Sequence, residues 1–502
     1  MRPRGAPVAP CQRNGWRSGR VGGEDGRVGR VPRIVLALGV VAGCGDNIYD
    51  PFGALVQITG ETPFGAACAG TQQGVNFASV EVEPSLAVDP TNPGHMVGAW
   101  QQDRWSNGGA NGIRVAVTFD GGATWSMTTP RMGRCAGGAA PGGDYDRATD
   151  PWVAFAADGT AFLSVLEFDS GSPRNAMVAS RSIDGGMTWG EPTVLRVDAD
   201  PDIFNDKNSI TADPTDPGRV YMVWDRLTGQ TQPTQPIGTG PTWFARTTAG
   251  AWETARAIYD PGIDAQTLGN LIAVLPDGTL VNTFDLITKA SSMAPVNMLA
   301  VIRSTDHGQT WSAAQVIAPM RGVGVEDPNN HVFIRSGADL PSIAVDRVSG
   351  ALYIAWQDAP AVGEVDQVLL VSSFDGGATW SAPIRVNGAP ASPAFTPSVA
   401  VAADGAVGVT YFDLRNAKLT DPDTLAVTPW LATSFDRGAT WSDESLSQPF
   451  DLRPALLRDF YFLGDYQGLA TVGNVFVPFF VGATTNSGDR TDVFVRSIPP
   501  GR

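Results

Sequence analysis

The sequence predicts an all-β protein, a β-propeller of four-stranded antiparallel blades. Three observations carry that expectation. Gly (58) and Pro (38) are abundant while charged residues make up only 17% of the 502 positions, as suits many short strands joined by turns. The stretch "TFDGGATWS" at 118–126 returns as "SIDGGMTWG", "STDHGQTWS", "SFDGGATWS" and "SFDRGATWS", with a decayed copy "RTTAGAWE" at Arg246–Glu253. Between these copies runs a second motif, "PSLAVDP" at Pro84 to "QGLATVG" at Gln467, recurring seven times roughly every 64 residues.

Each unit reads in the same order. Strand A ("SLAVD") is followed by a Pro/Gly turn, strand B ("MVGAW"), a variable loop, strand C ("RVAVTF"), the Asp-containing turn and strand D. These segments lack the 3.6-residue apolar period of a helical solenoid, and four antiparallel strands per unit describe a propeller blade. Seven blades follow from the count, six being the alternative. The last unit ends after a third strand ("TDVFVRSI"), while "ALVQITGE" at Ala54–Glu61 precedes the first unit without a partner. We therefore expect this N-terminal strand to close the ring, which removes the exposed edges of an open sheet.

The repeated turn needs no catalysis to explain it. Asp120, Asp184, Asp306, Asp375 and Asp436 can accept backbone N–H bonds within the C–D hairpin. Gly122 and its equivalents supply a turn conformation, and Trp125 and its equivalents offer an apolar plate for packing. Strand alternation puts the A–B and C–D turns on one face of the ring. The D–A and B–C loops then form the opposite face, where a site is expected.

The first 44 residues read as an export signal. Arg27, Arg30 and Arg33 precede the apolar run Ile34–Gly43, too short to span a bilayer. The ending "VAGC" is similar to a lipoprotein signal in which Cys44 would be lipidated, an ordinary secretory signal or short anchor being the alternative. Residues 1–26 fit neither and raise a mis-assigned start. Residues 45–53 read as a linker and 54–500 as one propeller. Cys68 and Cys135 remain after the leader and read as one disulfide, or as two buried thiols. Net charge is −16, and it becomes more acidic once the leader, with eight Arg against Glu24 and Asp25, is removed. Such a balance argues against nucleic-acid binding and leaves a lipid anchor as the membrane contact.

S/T-x-D-x-G-x-T-W is the Asp-box (BNR) motif, and five good copies resemble the sialidase-like propeller family across 54–500. That resemblance implies a glycoside hydrolase holding a sugar carboxylate with three Arg, with a Tyr nucleophile assisted by Glu and an Asp acid/base. Repeat register places Glu83, Asp150, Lys207, Gly269, Leu340, Thr396 and Tyr466 at equivalent positions beside strand A. Tyr466 and Glu83 then fall in neighbouring blades as a candidate nucleophile pair, with Asp150 or Asp103 as the acid. Tyr466 is equally readable as a residue that closes the last blade, with Asp465 sharing that ambiguity. Six of the seven B strands end in Asp, and three of these Asp have an Arg nearby. Arg104, Arg226 and Arg415 are thus the leading carboxylate ligands, with Arg147 a fourth; cross-blade salt bridges are the competing role. The family's R-I-P motif is absent, its place reading "EPS".

The three histidines, His95, His307 and His331, are too dispersed for a zinc site or a Ser-His-Asp triad. No cofactor is expected. The sequence reading is an exported or cell-envelope glycoside hydrolase, monomeric and acting on terminal sugars. The alternative is a non-catalytic propeller lipoprotein that binds glycan or protein.

Overall fold

The computed structural model describes residues 53–65, 68, 72–229, 239–289, 295–361, 363–486 and 488–499. Cys44, the leader and most of the linker lie outside the described residues. Those described are mostly strands and turns, with 3-10 turns at Arg134–Ala136 and Arg453–Ala455. None forms a helix long and apolar enough to cross a membrane.

The strands fall into seven antiparallel sets. Their first strands are Glu81–Val88, Arg147–Phe155, Ile203–Ala212, Ala265–Val274, Ser342–Val345, Ala394–Val401 and Gly468–Val472. Each pairs with the strand after it, which pairs with a third. The first two sets are joined by a single pair, Ala110 with Ala148. First strands touch one another in sequence order, and the last touches the first. The seventh set takes its fourth strand from the N-terminal side, Val56 pairing with Val495 and Gln57 with Phe494.

The core lies between adjacent sets. Val97, Val115 and Val117 of the first set pack with Val153, Leu163 and Val165 of the second, and similar apolar layers recur around the molecule. Trp100, Trp224 and Trp356, on second strands, are fully buried. Burying each such ring contributes roughly 4 kcal/mol at about 25 cal/mol per Å².

The Asp boxes are self-contained turns. Asp120 accepts from Thr124 N at 2.9 Å, Thr124 Oγ1 at 2.6 Å and Thr118 Oγ1 at 2.8 Å. The same pattern recurs at Asp184, Asp306, Asp375 and Asp436. These donors hold the Asp120 pKa down at about 2. The box Trp packs on the preceding set: Trp311 meets Phe244 edge-on at 5.7 Å, and Trp125 lies 6.2 Å from Phe479. Gly121 N bonds Gly94 O at 2.9 Å, which puts the box on the same face as the first-to-second-strand turn. The decayed copy keeps only a short hairpin, Thr242–Thr248 with Ala251–Trp252.

One additional sheet departs from the repeat. Val325–Glu326 and Phe333–Arg335 precede the fifth set, while Leu456–Leu457 and Phe460–Phe462 precede the seventh. Phe333–Arg335 pairs in parallel with Phe460–Phe462, joining two loops far apart in sequence. Cys68 and Cys135 form a disulfide that ties the N-terminal segment to the connection between the first two sets.

Candidate functional site

Five first strands carry a register shift, at Val82/Ser85, Thr149/Trp152, Asp206/Ser209, Leu268/Leu271 and Phe395/Ser398. A bulge re-aims the side chain at the irregularity. The residues there are Glu83, Asp150, Lys207, Gly269 and Thr396, all at positive φ, from 49° at Lys207 to 70° at Gly269. Four of them are not glycine, and each such residue costs about 1–3 kcal/mol. That strain is met by packing and hydrogen bonds: Asn208, next to Lys207, donates to Asp150 O and to Ser164 Oγ, both at 2.9 Å.

These bulges bring Glu83, Asp150 and Lys207 together. Lys207 Nζ lies 3.6 Å from both Glu83 Oε1 and Asp150 Oδ1, and 2.6 Å from Asp465 Oδ2. Arg335 grips the same Asp465, its Nε donating at 2.8 Å and its Nη2 to the other oxygen. Gln101 donates to Glu83 and accepts from Arg104 Nη1 at 2.6 Å. The Arg104 and Arg335 guanidinium groups both face the Phe462 ring, at 5.0 and 4.8 Å. Tyr466 donates its hydroxyl to Pro151 O at 3.3 Å and sits 5.0 Å from the Trp152 ring. A cavity opens beside the cluster, lined by Trp152, Lys207, Asp465, Tyr466 and Gln467 together with residues of the third to sixth first strands.

Two close backbone approaches complete the arrangement. Gly337, at φ 61°, lies so near Asp465 that a Cβ there would meet Asp465 O at 2.0 Å. Gly464, at φ 126°, faces Glu83 N, which a Cβ would meet at 2.6 Å. The crossing loops reach the cluster only because these two positions lack side chains.

The electrostatics separate the carboxylates. Burial pushes Glu83 up to about 8; Lys207 opposes this, while Asp150 and Asp465 add to it. Burial raises Asp150 as well. Burial also acts on Asp465, but Lys207 and Arg335 outweigh it and hold the pKa far below the usual carboxylate range. Lys207 stays charged despite burial because Asp150, Asp465, Glu83 and Asp206 surround it. Tyr466 is pushed well up, first by burial and then by Glu83, Asp150 and Asp465. A protonated Glu83 beside an ionised Asp465 is an acid and a base set apart by environment.

A model of the BNR/Asp-box repeat matches residues 302–313, the third good copy. The chain carries a BNR/Asp-box repeat. No curated protein sequence matches it. Among solved structures it is similar to the Hadza microbial sialidase Hz136, at 15% identity, 81% of this chain, 73% of that chain and a TM-score of 0.45. It is also similar to a protein of unknown function from Dyadobacter fermentans, at 13% identity, 88% and 98% coverage and a TM-score of 0.45. A third similar structure is the α-L-arabinofuranosidase Arb93A of Fusarium graminearum, at 10% identity, 89% and 98% coverage and a TM-score of 0.46.

In this Asp-box protein the remaining sequence candidates lie away from the cluster. Asp103 faces the N-terminal segment, accepting from Thr62 Oγ1 at 2.7 Å, Ser79 N at 2.9 Å and Asn111 Nδ2 at 3.0 Å. Arg147 is fully buried on Trp105 at 3.8 Å and donates to Gln72, Gln73 O, Asn107 and Gly108 O. Arg226 forks onto Asp198 at 2.9 and 2.7 Å. Arg415 binds Asp413 and Asp443 and stacks on Trp430 at 3.7 Å. Of the four candidates for the three carboxylate-binding arginines, Arg104 alone joins the cluster, because carboxylates of neighbouring strands hold Arg226 and Arg415. Other second-strand Asp serve as caps: Asp225 accepts from Gly269 N at 2.9 Å, supporting the bulge of the next set.

Sequence reasoning missed Arg335 and Asp206 and assigned no role to Lys207. Lys207 stood in the repeat register beside Glu83 and Asp150, so that signal was present. Arg335 carried none, since its position depends on the parallel crossing of two loops.

Proposed function

We propose that this Asp-box protein is an exported glycoside hydrolase acting on terminal sugars of glycans, with Glu83 as the proton donor. The observation that carries this reading is the convergence of Glu83, Asp150, Lys207, Asp465 and Tyr466 beside a cavity at the first strands. In this proposal the seven sets close as a seven-bladed propeller, with Val56–Gln57 completing the last blade. Export accords with the Cys68–Cys135 disulfide, and Cys44 is the proposed lipid attachment point.

Glycoside cleavage needs a proton delivered to the leaving oxygen, and a carboxyl that stays protonated near neutrality supplies it. Glu83 is such a group. In a sialidase-type course Glu83 would instead draw the Tyr466 proton, which requires it ionised. The raised pKa values of both residues oppose that course. Tyr466 is therefore assigned to shaping the cavity wall beside Trp152. Arg104 and Arg335, the arginines near the cluster, are the candidates for meeting an acidic sugar.

A second reading, glycan binding without turnover, is favoured by one observation: Glu83 is 1% exposed and Asp465 4%. A panel of fluorogenic glycosides, neutral and sialylated, separates the two. We expect turnover of at least one substrate, about 100-fold slower in Glu83→Gln and unchanged in Asp120→Asn. Absence of turnover across the panel, with glycan-array binding retained, would remove the hydrolase and leave the binding reading.

A further inference from the structure

Away from the cluster, three carboxylates gather at the seam between the first and seventh sets. Glu81 lies on the first strand of the first set, and Asp489 and Asp492 on the third strand of the seventh. The two strands meet through Thr491, whose hydroxyl accepts from Glu81 N at 3.0 Å and donates to Glu81 O at 2.8 Å. One oxygen from each carboxylate lies within 4.8 Å of the others. Glu81 is 0% exposed, Asp492 is buried and Asp489 half-buried.

The hydrogen bonding around them is incomplete. Glu81 Oε1 accepts from Gln102 Nε2, and Asp492 Oδ1 accepts from Thr59 Oγ1 at 2.7 Å. Glu81 Oε2 and Asp489 Oδ1 are buried atoms with no hydrogen-bond partner. No Lys or Arg forms an ion pair with any of the three among the described residues. Arg490, between the two Asp, turns away to Leu456 O at 3.2 Å and the Phe77 ring. Burial raises the Glu81 pKa, the Gln102 hydrogen bond lowers it, and Asp492, Asp489 and Asp103 raise it further; the one cation that feels Glu81 among the described residues, Arg114, donates to Thr129 and forms no ion pair with it.

Buried polar oxygens without partners are costly, and gathered carboxylates without a counterion more so. Either protons or a metal ion must balance the charge. An all-oxygen, carboxylate-rich set with free lone pairs suits a hard divalent cation that accepts irregular geometry, and calcium fits better than magnesium, which demands a near-ideal octahedron. We propose that Glu81, Asp489 and Asp492 bind one divalent cation of the calcium class, which staples the first set to the seventh. Water and nearby oxygens would fill the remaining ligand positions. The site is independent of the glycoside-hydrolase reading, sharing no residue with the Glu83 cluster.

The experiment uses the exported chain, stripped with chelator and titrated with CaCl2 by calorimetry and thermal melting. One equivalent of calcium should bind, and Tm should rise on the order of 3 °C near saturation. Glu81→Gln should bind calcium at least 10-fold more weakly. In metal-free buffer it should melt at or above the wild type, because a buried charge is gone, yet gain nothing from CaCl2. Should Glu81→Gln fail to fold, Asp489→Asn at the half-buried ligand gives the same reading. Absence of calcium uptake by the wild type, or uptake unchanged in the variants, overturns the proposal.

Discussion

Glu83 shows how one buried side chain sets a testable chemistry. Its folded-state pKa of about 8 lies above the ordinary 4.5. The native state therefore holds this proton through a window where the unfolded chain has lost it. The associated stability is complete below about 4.5 and lost as pH rises through about 8. For the proposed reaction, kcat/KM should fall above about pH 8 as the donor ionises, and Glu83→Gln should remove that limb along with most of the rate. A profile whose alkaline limb persists in Glu83→Gln would assign the donor elsewhere. At the same scale, Gly337 holds the crossing loop against Asp465 O. Gly337→Ala forces a Cβ into backbone and should cost about 2 kcal/mol. It should also displace Arg335 from Asp465, so both Tm and turnover should drop. Wild-type values would contradict the close approach.

At the scale of the element, the bulged first strand is the unit that builds the site. Its repetition made Glu83, Asp150 and Lys207 legible in sequence, because equivalent places in successive units turn their side chains the same way. The pattern gave no reach beyond the strand. Arg226 and Arg415 follow Asp at second-strand ends, as expected, but Asp198 and Asp443 from other strands capture them. Arg335 and Phe462 enter from loops whose parallel pairing no local signal announces. The disulfide belongs to this scale too, closing a span of 67 residues between Cys68 and the 3-10 turn at Arg134–Ala136. Loop-closure entropy puts its contribution at up to about 4 kcal/mol. Cys135→Ser should lower stability by that order in chemical denaturation, whereas an unchanged midpoint would mean the N-terminal segment is held without it.

For the whole molecule, the seam decides whether seven sets act as one body. Val56–Gln57 covers the third strand of the seventh set, and the proposed cation site lies at the same junction. Deleting the chain through Gln57 would leave Asp489–Val495 with an open edge, the usual template for association. We expect a lower Tm and concentration-dependent light scattering; a monodisperse truncation with an unchanged Tm would tell against closure by this strand. The sequence by itself determined the period, the strand order and the Asp-box turns, because these depend on hydrogen bonds four residues apart and on alternating apolar positions. Only the tertiary structure decided which charges meet. A carboxylate's pKa and partner depend on burial and on residues hundreds of positions away, such as Glu83 beside Asp465 or Glu81 beside Asp492, and no local pattern carries that information.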